Sequence, residues 1–162
     1  MVSDKQQLNF LVENIGATQL GYALTRELNY LQATQPAIDC IVFYNTLHKH
    51  AMMPNFAIMQ MIEAWNQKGV TIATSITTAS QLLTYPGPSL KIYYMWDLPW
   101  MRIIPKVYSV THAVVTNPNL MLIARSEYHA LAIQNAYNVP KPTIVEHMHI
   151  TELLKVIDNA QP

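Results

Sequence analysis

Six short apolar runs recur along the chain, with longer helix-patterned stretches between them. They are LNFLVE (Leu8 to Glu13), IDCIVFYN (Ile38 to Asn45), VTIATS (Val70 to Ser75), LKIYYMW (Leu90 to Trp96), LMLIA (Leu120 to Ala124) and TIVEH (Thr143 to His147). Each is nearly continuous in apolar residues instead of alternating with polar ones, which is the pattern of a strand buried on both faces. Such strands belong to parallel sheets, whose neighbours are joined by helical crossovers, and right-handed crossovers set helices on both sides. The sequence therefore predicts an α/β fold: a single Rossmann-like domain over residues 1–162 with a doubly wound, mainly parallel six-stranded sheet and helices on both faces.

The intervening stretches fit helices. IGATQLGYALTRELNYLQ puts Leu20, Ala23, Leu24, Leu28 and Leu31 on one face, with Arg26 and Glu27 turned away from it. PNFAIMQMIEAWNQKG has Pro54 near its first turn, carries Ile58, Met61, Ile62 and Trp65 at helical spacing, and stops at Gly69, so it reads as a second helix. TTASQLLTY is a shorter helix ended by Pro-Gly-Pro, and MRIIPKVYSVTH is expected to form one or two helical turns. Ser126 is placed to cap EYHALAIQNAYNV and Thr151 to cap ELLKVIDNA, each hydroxyl accepting from a free amide of the first turn.

Composition removes several function classes. With 162 residues, 51% of them hydrophobic, one sizeable core is the expectation. The 10 basic and 10 acidic residues cancel and are scattered, so no charge field draws the chain to nucleic acid or to an anionic membrane. Only 12% of residues are charged, and with 9 methionines and 3 tryptophans this predicts apolar surface covered by a partner, hence a homo-oligomer. Cys40, the single cysteine, lies inside an apolar run and reads as core, not as a nucleophile. The amino terminus lacks an apolar signal core, and no stretch approaches the roughly 18 apolar residues of a membrane span, so a cytoplasmic location is expected.

Ligands of doubly wound sheets bind beyond the carboxyl ends of the strands, where strand order reverses. The candidates are the residues just past each run: Asn14 and Gly16; Asn45, Thr46, His48 and His50; Thr77 and Thr78; Asp97; Arg125, Ser126 and Glu127; Glu146, His147 and His149. With 4 glycines in all, neither the three-glycine dinucleotide fingerprint nor a phosphate-cradling Gly-Lys-Ser/Thr loop can be written, and no cofactor is expected. No serine sits in a glycine-flanked elbow. The pairs His48/His50 and His147/His149 could each turn two imidazoles to one side of an extended segment, as zinc sites require, but a third ligand would have to come from another loop; the alternative is half-buried polar residues at strand exits, and no metal is assigned.

Two places admit a functional and a structural reading. Asp97, within YYMWDLPWM, is either a general base or hydroxyl-binding carboxylate beside an apolar wall of Trp96 or Trp100, or a turn residue before Pro99 with the tryptophans packed in the core or a dimer contact. In ARSEYHA, Arg125 and the amides of the helix start either hold a phosphate or other anion, or Ser126 is a plain cap and Arg125 pairs with an acid such as Glu127.

LIARSEYHALAIQNAYNVPKPTIVEHMHI resembles the segment that ends the amino-terminal half of GT-B glycosyltransferases, family 4 in particular: a strand, a Ser-Glu-Tyr helix start, a helix, a Val-Pro turn and a last strand. ENIGATQLGYALTREL is similar to the first turn and helix of that half, in which a glycine lets the backbone approach donor or acceptor. On this resemblance Gly16 matches that glycine, and Ser126, Glu127 and Tyr128 match the helix start. Family 4 enzymes bind the nucleotide sugar mainly through a carboxyl-terminal domain bearing two glutamates at fixed spacing; no two glutamates here have that spacing, and the chain ends where that domain would begin. Asp97 stands where the family tends to carry a histidine, and the Asp-x-Asp metal motif of the other transferase architecture is missing. Compact stand-alone chains of this kind also resemble glycosyltransferase-like proteins of tailed phages, which would work in the host cytoplasm.

The resemblance implies a glycosyltransferase-like domain that binds a sugar, nucleotide sugar or sugar-bearing substrate at the strand ends and is incomplete as a catalyst without a second subunit that binds the donor. The alternative is a non-catalytic interaction or adaptor protein, viral or host-directed, that keeps the fold without activity. The residues expected to line the site are Asn14, Gly16, His48, Trp96, Arg125, Ser126, Glu127, Glu146 and His147, with Asp97 in the catalytic position.

Overall fold

The computed structural model describes residues 6–98 and 106–160. In chain order they form β1 (Gln6–Ile15), α1 (Gln19–Thr34), β2 (Ile38–Leu47), β3 (Ala57–Gln60), β4 (Val70–Ala73), α2 (Ile76–Thr84), β5 (Leu90–Met95), α3 (Lys106–Val115), β6 (Met121–Ala124), α4 (Glu127–Tyr137), β7 (Thr143–Ile144) and α5 (Ile150–Ala160). The strands make one sheet in the order β3-β2-β1-β4-β5-β6-β7, and every neighbouring pair is parallel. The fold is α/β and Rossmann-like. From β1 the chain steps outward through β2 to β3 and then returns to lay β4 on the other side of β1, so the strand order reverses between β1 and β4.

The sheet has seven strands where six were expected, and the extra one lies in a stretch read as helix. Ala57–Gln60 pair with Ile41–Tyr44 of β2, and only a 3-10 turn over Met61–Ala64 follows. The helical spacing of apolar residues was real but points largely at water: Met61 is buried, whereas Ile62 is 79% exposed and Trp65 50%. β2 would otherwise leave a row of backbone amides and carbonyls unpaired along its outer edge, and pairing them outweighed the local helical pattern. At α3, ten helical residues exceed the one or two turns expected; residues 99–105, including Trp100, lie outside the described residues.

Alternation along the strands splits the core into two layers. Leu8, Phe10 and Val12 of β1 face Leu24, Leu28 and Leu31 of α1 and Leu153 and Ile157 of α5. Leu11, one residue out of phase, joins Ala79 and Leu82 of α2, Val114 of α3 and Ile133 of α4 on the opposite face. Cys40 is buried in the first layer, and burial pushes its thiol up to about 11, consistent with a packing role.

Two buried polar groups tie the helices to the sheet. Glu27, expected to face solvent, is buried; its Oε2 accepts the amide N–H of Ile150 at 3.0 Å, and its Oε1 accepts from Arg26 Nε at 3.0 Å and Nη2 at 2.8 Å. The first amide of α5 is thus satisfied by a carboxylate from α1, and Thr151, expected to cap that helix, lies inside it. Tyr94 in β5 donates its hydroxyl to the carbonyl of Val145 at 2.6 Å and accepts the N–H of Met148 at 2.9 Å. Burial pushes this phenol up to about 12, so it stays protonated and able to donate across the neutral range. The turn it holds carries left-handed backbone at His147 (φ 47°) and Met148 (φ 63°), between β7 and α5. No helix among the described residues is long and apolar enough to cross a membrane.

Candidate functional site

All seven strands point alike, so their carboxyl ends share one rim, and two cavities open there side by side. The first, of about 510 Å³, lies over the β1/β4 reversal. Glu13 and Asp97 bring carboxylates to it, Thr18, Thr74 and Ser75 bring hydroxyls, and Asn14 and Gln19 bring amides. The second, of about 490 Å³, lies over β5 and β6 and is lined by Tyr22, Arg125, Ser126, His129 and His147. Trp96 and Gln19 border both, which makes the two a continuous groove.

The groove walls are held by local hydrogen bonds. At the end of β4, Thr74 donates its hydroxyl to the carbonyl of Leu11 at 2.9 Å and ties the two strands together at the reversal. Ser75 caps α2 in a reciprocal box: its Oγ accepts the N–H of Thr78 at 3.2 Å, while the Thr78 hydroxyl oxygen accepts the N–H of Ser75 at 3.0 Å. Thr78 is therefore consumed by the cap. Thr18 caps α1 by accepting the Gly21 N–H at 3.0 Å. The amide oxygen of Asn14 is buried with no hydrogen-bond partner among the described residues, a costly state for a buried acceptor.

Trp96 is 8% exposed and packs on Tyr94 at 6.4 Å between ring centroids. The guanidinium of Arg125 lies 5.1 Å from the centre of the Trp96 ring, a cation–π contact. Ser126 caps α4 as expected, its Oγ accepting the N–H of His129 at 3.3 Å and lying 2.8 Å from His129 Nδ1. Burial, with the nearby charge of Arg125, holds the His129 imidazole below its ordinary range, while Asp97 opposes the shift; the ring is neutral near pH 7.

Of the residues named from sequence, Asn14, Trp96 and Asp97 line the first cavity, and Trp96, Arg125, Ser126 and His147 the second. Of the ten residues expected to line the site or act in it, four lie elsewhere, and Asn45, Thr46, His50, Thr77, Thr78 and His149 line neither cavity. Gly16 is buried where an added Cβ would come 2.9 Å from Cβ of His48, so its lack of a side chain lets the β2 exit pack against the β1–α1 turn. His48 is exposed and lines neither cavity. Glu127 pairs with Lys141 at 2.5 Å, so the expected Arg125–Glu127 pair is replaced by the Arg125–Trp96 contact. Glu146 is exposed in the turn before α5, outside both cavities. Among the described residues no group of three or more His, Cys, Asp or Glu side chains could hold a metal ion.

Sequence reasoning missed Glu13, Thr74 and Ser75 because they were counted as strand interior, and Thr18, Gln19 and Tyr22 because they precede or open a helix. His129 carried a usable signal: it stands three residues after the cap Ser126, where the first helical turn brings a side chain back to its cap. No family model, curated protein or solved structure matches this chain.

Proposed function

We propose that the protein is a glycosyltransferase-like acceptor domain that binds a sugar or sugar-bearing ligand in the groove, and takes part in transfer only beside a partner that binds the donor. The observation that carries this is the first cavity, where carboxylates, hydroxyls and amides converge beside an indole at the strand-order reversal. Sugars present hydroxyls that both donate and accept, a need that the carboxylates, hydroxyls and amides of this lining meet. Asp97 is exposed at the rim, where its carboxylate can take the proton of an acceptor hydroxyl as that oxygen bonds to the donor's anomeric carbon and the nucleotide leaves with the bonding electrons. The absence of the paired-glutamate spacing and of Asp-x-Asp from residues 1–162 supports a donor site outside these residues.

Thermal-shift assays with a panel of monosaccharides, sugar phosphates and nucleotide sugars test the reading. A ligand at a hundred times its dissociation constant stabilises by about 2.7 kcal/mol, a rise of roughly 5–10 °C for a chain of this size. Asp97→Asn is expected to abolish the rise in protein whose circular dichroism is unchanged. A flat response across the whole panel would sink the proposal, and robust transfer by the isolated chain would remove the need for a donor-binding partner.

The β3 edge favours a second reading, self-association. Among the described residues, five of the eleven exposed large apolar or aromatic side chains fall between Leu47 and Trp65, with Met53 78% and Ile62 79% exposed. Ala51 to Ile62 contains no charged residue, so two copies can meet there about a two-fold axis without like-charge repulsion, and β3 carries neither the lysine nor the proline that commonly blocks edge pairing. Sedimentation velocity is expected to show a dimer that Met59→Lys dissociates. A monomer at all concentrations refutes this reading and leaves the groove untouched.

A further inference from the structure

The two halves of the groove differ in charge. Glu13 and Asp97 line the first cavity, with no lysine, arginine or histidine among its described lining residues. Arg125, with the imidazoles of His129 and His147, lines the second, and Arg125 carries the only fixed charge among its described lining residues. The change of sign falls at Trp96 and Gln19, the residues common to both. Resting on the sugar-binding reading above, we infer that the ligand is a phosphorylated sugar, its hydroxyl-bearing ring in the first cavity and its phosphate in the second against Arg125.

Arg125 is the group that can seat an anion. It is half-buried, it lies over the Trp96 ring, and among the described residues it makes no ion pair or hydrogen bond. The nearest acid in sequence, Glu127, is committed to Lys141. A guanidinium with its donors unspent is open to a counter-charge, and its planar fork matches phosphate oxygens. The cation–π contact fixes the plane of that fork without using its N–H groups, so the donors stay available. Gln19, Tyr22 and the imidazoles of His129 and His147 offer further donors in the same cavity, more than a two-oxygen carboxylate uses and suited to the three outer oxygens of a phosphate ester.

Isothermal titration in phosphate-free buffer with matched pairs (glucose and glucose 1-phosphate, mannose and mannose 1-phosphate, N-acetylglucosamine and its 1-phosphate), with UDP-glucose, GDP-mannose and inorganic phosphate alone, reads the inference directly. At least one phosphorylated member is expected to bind about ten- to a hundredfold more tightly than its neutral partner. Arg125→Gln is expected to erase that preference, and Arg125→Lys, which keeps charge but loses the fork, to retain only part of it. Tighter binding of the nucleotide sugars than of the simple phosphates assigns the phosphate to a donor-type ligand, and the reverse assigns it to a phosphorylated acceptor; either supports the inference. Equal affinity for neutral and phosphorylated members overturns it and leaves the sugar reading standing, as does a preference that survives Arg125→Gln in protein of unchanged circular dichroism. Inorganic phosphate binding as tightly as the best phosphosugar, with loss in Arg125→Gln, upholds the anion seat but overturns the sugar reading. No binding by any probe overturns both. Should Arg125→Gln fail to fold, the lysine variant decides in its place: a reduced preference supports the role assigned to the guanidinium fork, and an undiminished one rejects it.

Discussion

Tyr94→Phe is expected to destabilise the protein by about 2–4 kcal/mol, lowering the thermal midpoint by roughly 5–12 °C. The substitution keeps the ring and its packing and removes one oxygen. That oxygen serves two main-chain groups at once, the Val145 carbonyl at 2.6 Å and the Met148 amide at 2.9 Å, in a place closed to water. Both would be left buried and unpaired, which costs more than the net worth of the bonds themselves. The same two groups fix the turn at which His147 and Met148 adopt left-handed backbone, and that turn delivers His147 to the groove. Loss of stability should therefore come with weaker phosphosugar binding. Urea unfolding with a change below about 0.5 kcal/mol would show that the hydroxyl does not hold this turn.

Gly21→Ala should destabilise by about 1–3 kcal/mol, against the usual sign for such a change in a helix. Alanine at an interior helical position normally gains about 1 kcal/mol over glycine. Here the new Cβ would lie 2.2 Å from the carbonyl oxygen of Gly16, a backbone atom that cannot swing aside as a side chain can. Either α1 moves off the sheet or the β1–α1 turn shifts. That turn carries Thr18 and Gln19, which line the first cavity, so ligand affinity should fall together with stability. Denaturant titration of the variant beside wild-type protein checks the sign, and a variant as stable as wild type would mean that the turn yields without cost.

How much of this was legible beforehand depended on how local each cause is. Ile38–Asn45, Leu90–Trp96 and Leu120–Ala124 announced buried strands because apolar residues follow one another with little interruption, and a strand covered on both faces needs that wherever it sits. Ser126 was readable as a cap because a cap acts within a single turn. Asn14, Trp96, Asp97, Arg125, Ser126 and His147 could be named because parallel strands end on one side, so that position along the chain predicted a place on the rim. Ala57–Gln60 could not: its own pattern favours a helix, and only the open edge of β2, brought near by folding, gave those residues a strand to join. Glu27 was misread for a related reason, since its partner is the Ile150 amide, 123 positions further along the chain.

The chain's own periodicity and strand-end chemistry thus settled the α/β class, the parallel sense of the sheet and half a dozen residues of the rim, since these follow from interactions within a few residues. The tertiary structure alone decided the seventh strand, the capping of α5 by Glu27, the diversion of Gly16 and Glu127 into packing and pairing, and the division of the groove into an acidic and a basic half. Each of those depends on which distant segments become neighbours, and hydrophobic patterning is nearly indifferent to that choice while hydrogen bonding and charge are not.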